Sequence, residues 1–403
     1  MTGEFLILAL IVITALVFDF TNGFHDTANA MATSIATGAL HPKSAVLLSA
    51  ALNLIGAFLS IEVALTVTNS VIRIQDSDGN PLPALMGDGG GALLMILLAG
   101  LAGAILWNLA TWAFSLPSSS SHALFGGLIG ATIASIGWQG VKWAGDGTLD
   151  GVLGKVVMPA LVSPVLAIIV AAIGTWTVLK ITRVIEEKAR DTWFRWGQIG
   201  SASLVSLAHG TNDAQKTMGI ITLALLATGH WHDTHSVALW VKVSCALAIA
   251  LGTYSGGWRI IRTLGKGLVD ISSPQGMAAE SASAAIILAS SHMGFALSTT
   301  QVATGSILGS GVGRSGANVR WSIAGKMALA WLITLPMSAI AAAIIWWIGH
   351  FFGGSVLAAW VMIAILVAGC LAFYRHARTS HVDHRNVNDE WESAEPAREE
   401  VRS

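Results

Sequence analysis

Charge is what this chain has least of. Of its 403 residues 11% are Asp, Glu, Lys or Arg and 54% are hydrophobic, where a soluble domain carries roughly a quarter charged residues. With a mean hydropathy of +0.66, that deficit excludes an ordinary soluble globule and implies an integral membrane protein. Period-two alternation is also missing, which argues against an outer-membrane barrel. The two cysteines, Cys245 and Cys370, sit in apolar runs with no spacing motif and read as buried thiols. Gly87-Asp-Gly-Gly-Gly91 lacks the Lys-Ser/Thr of a nucleotide-binding loop, so any energised step runs on a gradient. The net charge of −1 does not speak for nucleic acid; neither nucleic acid nor a cofactor is expected. No basic segment precedes the apolar run Phe5–Phe18, and a polar stretch stands where a signal peptide would be cleaved. That run is therefore taken as a first span.

What is there is a series of apolar runs long enough to cross a bilayer, which takes about 20 residues each. They fall near 4–40, 44–72, 91–116, 119–137 and 157–180, then 197–229, 236–258, 275–296, 299–313 and 318–349, with one more at 353–374. The pattern predicts an all-α polytopic protein with about eleven crossings. It divides into a first repeat (1–180), a charged joint (181–196), a second repeat (197–350), an extra helix (351–374) and a polar, disordered tail (375–403).

The first run is interrupted by Asn22-Gly-Phe-His-Asp-Thr-Ala-Asn-Ala-Met-Ala-Thr33, and His209-Gly-Thr-Asn-Asp-Ala-Gln-Lys-Thr-Met-Gly219 matches it in the second half. Gly23 pairs with Gly210, Asp26 with Asp213 and Met31 with Met218. A second anchor aligns Ser119-Ser-Ser-His122, Gly126 and Gly130 with Ser298-Thr-Thr-Gln301, Gly305 and Gly309. The two anchors are offset by 187 and 179 residues, as one duplication with a small loop change requires. Polar groups at membrane depth are costly unless they face a cavity, a partner or an ion. Their recurrence in two halves is the sequence pointer to a transporter's central site.

Five crossings per repeat make the halves inverted. With the N-terminus outside, the inner segments carry fourteen basic residues, including Lys43, Lys180, Arg195, Arg262 and Arg314, and the outer ones only Arg73, Lys142 and Lys155. Basic residues favour the cytoplasmic side, so the N-terminus is expected outside and the C-terminus inside. The outer segment 73–90 is acidic, with Asp76, Asp78 and Asp88.

Asp26 and Asn29 share a helical face, as do Asp213 and Lys216. Gly23 and Gly210 are expected to let the helices unwind there, freeing backbone groups for ions. Duplication favours that reading over a polar patch satisfied between packed helices. Ser119, Ser120 and Ser121, and Ser298, Thr299 and Thr300, open two helices whose free N–H groups and dipoles suit an anion; a plain helix cap is the blander account. His122 is expected to bond a hydroxyl, because its repeat mate Gln301 does not ionise. Of the acids in apolar runs, Glu280 is a better candidate for ion coupling than Glu62. The cluster His230, His232, Asp233 and His235 reads as a wet turn, and Asp76-Ser-Asp-Gly79 lacks the rest of a calcium loop. The 16 Trp residues read mostly as interfacial anchors.

With Gly23-Phe-His-Asp-Thr-Ala-Asn29 and Asn212-Asp-Ala-Gln-Lys216, the chain resembles the inorganic phosphate transporter (PiT) family across about residues 4–350. The nearest look is to its bacterial low-affinity, proton-coupled branch. The resemblance implies a symporter of phosphate, or of neutral metal–phosphate, in the cytoplasmic membrane. It implies phosphate held by Asp26, Asn29, Asn212, Asp213 and the two hydroxyl turns. Gly23, His25, His122, Gly210 and Gln301 would support the site. Asp26, Asp213, Lys216 and Glu280 would handle the driving ion, with protons favoured over sodium. The second turn departs from the family pattern, with Ala296 for a proline and Gln301 for a histidine. A sulfate symporter on the same scaffold is one alternative. An intramembrane hydrolase using Ser120 and His122 is a distant one, because it lacks an orienting third group. The bilayer is a partner, and an oligomer is compatible with the sequence.

Overall fold

The computed structural model describes residues 3–64, 67, 71–74, 85, 90–145, 150–182, 187–353, 355–378 and 382–389. Asp76, Asp78 and Asp88 lie outside the described residues. Among those described, the chain is helical apart from turns and two isolated bridges, Ile72 with Val141 and Val269 with Val319. The first half supplies α1 (Gly3–Ala36), α2 (Pro42–Gly56), α3 (Gly91–Ala113), α4 (Ser120–Ile136) and α5 (Met158–Ile181). The second supplies α6 (Glu187–Ala227), α7 (Leu239–Ser255), α8 (Trp258–Arg262), α9 (Ser273–His292), α10 (Thr299–Val312) and α11 (Trp321–Phe351); α12 (Ser355–Ala377) follows.

The helices pair across the halves more than within them. Helix α1 packs on α7 while α6 packs on α2; α4 packs on α11 while α10 packs on α5. Each partner set is the image of the other under the sequence repeat. The apolar sides of α5 and α11 face outward through Leu161, Val165, Ile169 and Ile173, and through Leu332, Ile340 and Ile344. In water such a surface would be a liability; against lipid chains it is the expected exterior. Among the described residues, five helices are long and apolar enough to cross a membrane, and α7 with α8 forms a sixth if the pair, bent by 60°, is one span.

Three expectations change. Neither α1 nor α6 unwinds at its polar motif; both run through it as continuous helices of 34 and 41 residues. The motif glycines serve close packing instead: a Cβ on Gly23 would strike the carbonyl oxygen of Ile249 in α7, and one on Gly210 that of Asn53 in α2. The charged joint is not a separate unit, since α6 begins within it at Glu187. Nor is the tail wholly without structure. Residues 382–389 lie against the end of α1, with Val387 buried and the Asn388 amide donating to the Ile35 carbonyl at 3.2 Å.

The hydroxyl motifs sit where two helical hairpins turn. Helix α3 ends at Ala113, Ser115 takes a left-handed φ of 58°, and an extended stretch through Pro117 leads into α4. Between α9 and α10 the equivalent position is Gly294, at φ 69°. The second arms, 17 and 14 residues long, reach about 26 and 21 Å, less than the ~30 Å hydrocarbon core.

Candidate functional site

The two hairpin tips meet α1 and α6 at their polar motifs. Asp26 and Asp213 are completely buried there. Asp26 accepts from the Ser120 hydroxyl at 2.8 Å, from Thr300 at 3.2 Å and from Thr299 at 3.5 Å, and His25 Nδ1 lies 2.8 Å from its Oδ1. Asp213 accepts from Thr299 at 3.0 Å, faces His209 Nε2 at 2.7 Å and pairs with Lys216. The Lys216 ammonium also donates to Ser121 Oγ at 2.6 Å and to the Leu297 carbonyl at 3.1 Å. Each acid thus takes donors from a hairpin tip, and Thr299 touches both.

The arrangement follows from helix chemistry. Ser119 and Ser298 are N-caps, their side chains accepting from the backbone N–H of His122 and Gln301. That frees Ser120, Thr299 and Thr300, in the first turns, to point at the acids, where the positive dipole ends favour negative charge, while Ser121 donates to the Leu297 carbonyl at 3.0 Å and accepts from Lys216. For Ser119 and Ser298 the cap is the observed role, and neither hydroxyl faces the acids. Asn29 Nδ2 donates to Thr300 at 3.1 Å, whereas Asn212 Nδ2 turns to Ser291 at 2.9 Å and Phe295 O at 3.3 Å. The expected hydroxyl partner of the His122 ring is not found among the described residues; its contact with Ser119 is through the backbone. Gln301 Oε1 is buried without a partner.

Glu280 belongs to a second cluster. It accepts from Thr33 at 2.5 Å, Ser34 at 2.7 Å, Ser201 at 2.5 Å and Gln198 at 3.3 Å, linking α9 to α6 and to α1 two turns beyond Asp26. The residue sequence reasoning missed is His209, which stands 3.7 Å from Asp26 Oδ2 as well as beside Asp213. Its signal was present: it lies four residues before Asp213, on one helical face. Asp26, His209 and Asp213 bring ligand atoms within 4.8 Å of one another. The carboxylates already take hydroxyl, imidazole and ammonium donors, and we assign no resident metal. A cavity of about 600 Å³ lies elsewhere, beside Trp346, His350 and Met362.

Two buried acids, one lysine and two hydroxyl-bearing helix N-termini make a closed site whose hydroxyl and ammonium donors can turn from internal acceptors to those of a small oxyanion. Residues 22–342 match the family described as "Phosphate transporter family". The chain belongs to that family. Phosphate transporter family relatives include the probable low-affinity inorganic phosphate transporter of Mycobacterium tuberculosis (strain ATCC 25618 / H37Rv), 56% identical over 97% of this chain and 89% of that one. The similarly named protein of Bacillus subtilis (strain 168) is 40% identical over 84% of this chain and 96% of its own. A solved structure, "The sodium-dependent phosphate transporter", shares the fold with a TM-score of 0.69 at 21% identity, covering 86% of this chain and all of that one. Family and relatives are transporters rather than enzymes, and the chain is a multi-pass membrane protein.

Proposed function

We propose that the protein is a secondary symporter of inorganic phosphate, carried alone or as a neutral complex with a divalent metal, and driven by a proton gradient across the cytoplasmic membrane. The observation that carries this is the convergence of Asp26 and Asp213 with the two hydroxyl turns in a fully buried site. Ser120, Ser121, Thr299, Thr300, Asn29 and Asn212 would supply the donors to phosphate. A phosphate anion next to two carboxylates is strongly repelled unless positive charge enters with it. Lys216 already pairs with Asp213, and in this reading co-transported cations supply the remaining compensation. The same electrostatics that make the site closed therefore make it a coupled one. Asp26, Asp213, Lys216 and Glu280 are the groups assigned to the coupling ion.

The exchange of partners between halves supports an inverted pair of repeats working by alternating access, with the N-terminus outside and the C-terminus inside. About eleven transmembrane segments result if both arms of each hairpin are counted. Each hairpin contributes an even number whether it crosses or turns back, so the inversion does not depend on that count. Sodium coupling is the second reading, favoured by the name of the solved relative. The names of the sequence relatives favour phosphate over sulfate.

Purified protein in sodium-free proteoliposomes, inside alkaline, tests the proposal. Labelled phosphate should accumulate and excess unlabelled sulfate should not compete. Uptake that waits for sodium would replace the proton reading, and competition by sulfate would broaden the substrate.

A further inference from the structure

We propose that Asp19 is a proton-binding station of the transport cycle, separate from the acids that face phosphate. It rests on the reading of the protein as a cation-driven phosphate symporter. Asp19 is wholly buried in α1, and neither carboxylate oxygen has a hydrogen-bond partner among the described residues. The Thr217 hydroxyl of α6 faces it short of hydrogen-bonding geometry and is itself unpartnered. One turn along α1, on the same face, both amide atoms of Asn22 are also buried without partners. Three orphaned polar side chains therefore stand together where apolar residues would be more stable. An ionised, unpaired carboxylate at this depth is costly, and such groups in membrane spans mark ion pathways.

Position gives the group its role. Asp19, Asp26 and Thr33 are spaced seven residues apart on α1, two turns or about 10.5 Å per step. Thr33 donates to Glu280, so two further carboxylates flank the central pair, Asp19 toward the N-terminal end of α1 and Glu280 toward the other. They differ in kind, since Glu280 has four donors and Asp19 none. The repeat mate of Asp19 is Ser206, which donates to Ser49 at 3.0 Å, so packing by the two-fold pattern does not ask for an acid here. The groups whose fields reach Asp19 are Asp213, His209 and Lys216 on α6 and Cys245 on α7; α3, packed on its other side, carries no titratable residue. A proton suits the place better than sodium. The continuous α1 keeps its carbonyls in helical bonds, so a sodium ion would have only the side-chain oxygens of Asp19, Asn22 and Thr217 to replace its hydration shell, whereas a proton needs one carboxylate oxygen.

The experiment compares two activities of the same proteoliposomes: exchange of labelled for unlabelled phosphate at equal concentration and equal pH, and accumulation driven by an imposed pH gradient. A parallel arm imposes a sodium gradient instead. Asp19→Asn should exchange phosphate at near the wild-type rate and lose gradient-driven accumulation, while Asp19→Glu, which restores the carboxyl group, should accumulate. Accumulation by Asp19→Asn at the wild-type level overturns the proposal. So does loss of exchange in Asp19→Asn, or failure of Asp19→Glu to accumulate, because either marks a packing role. Accumulation that only the sodium gradient drives also overturns it. If the wild type itself exchanges no phosphate, the transport reading fails and takes this proposal with it.

Discussion

Asp26 and Asp213 each take donors from groups that come from more than one helix, so removing their charge should have a larger effect on function than on folding. Asp26→Asn or Asp213→Asn keeps shape and hydrogen-bonding capacity. Each should reduce phosphate uptake to background while the protein still elutes as a single species in detergent; wild-type uptake in both would make them packing residues. Ser120→Ala and Thr299→Ala remove single hydroxyl donors from the same centre. Each should weaken phosphate binding roughly tenfold, as expected for about 1.4 kcal/mol lost from a bond to a charged partner. Binding calorimetry on purified protein reads this directly, and unchanged constants would take the hydroxyl turns out of the site. Thr299 should be the more sensitive of the two, because its one hydroxyl lies within hydrogen-bonding reach of both acids.

Among the elements, α1 and α6 are set by their glycines. Gly23→Ala and Gly210→Ala would push a methyl group into a neighbouring backbone carbonyl, a clash that flexible side chains cannot relieve. Each should destabilise the protein by about 1–3 kcal/mol, seen as a lower melting temperature in detergent. Gly200→Ala is the control: it lies in α6 with no atom within 4 Å of the added methyl and should be neutral or slightly stabilising. The connection before α5 allows a test by pH. There Lys142 bonds Asp150 at 2.8 Å and holds its carboxyl below the usual carboxylate range. A depressed folded-state value means the contribution is present at neutral pH and fades as pH falls through that value. Lys142→Ala should therefore lower the melting temperature slightly at neutral pH and not in acid. Much at this scale was legible in advance: the two motif pairs, the hydroxyl-bearing helix starts and most apolar runs lie where the sequence put them, the exception being the run expected at 44–72, where α2 ends at Gly56. The unwinding at Gly23 and Gly210 was misread, because a glycine beside a polar motif serves a break and a close contact equally well. His209 and Asp19 were overlooked because their repeat mates are Asn22 and Ser206, and a search by symmetry passes over groups that break it.

Across the whole molecule, the two halves cannot be separated without opening both. Helix α1 packs on α7, α6 on α2, and each hairpin's second arm on a helix of the other half. A chain cut before Glu187 should give two fragments, each degraded when made alone and stable when made together. Co-purification and restored phosphate uptake are the expected readout, and a stable first half by itself would contradict the exchange. The same exchange has a consequence in time. Asp26 is made early, yet its partner Thr300 follows 274 residues later. At 5–20 residues per second the interval is roughly 15 to 55 s. For that long the nascent α1 carries its acid into the bilayer without the full set of hydroxyls that later satisfies it, and at first His25 is its only neighbour already synthesised. Biogenesis of this protein is therefore a waiting problem. Its vulnerable period ends when α10 emerges, and slowing synthesis ahead of residue 299 should lengthen the exposure of the chain to membrane proteases.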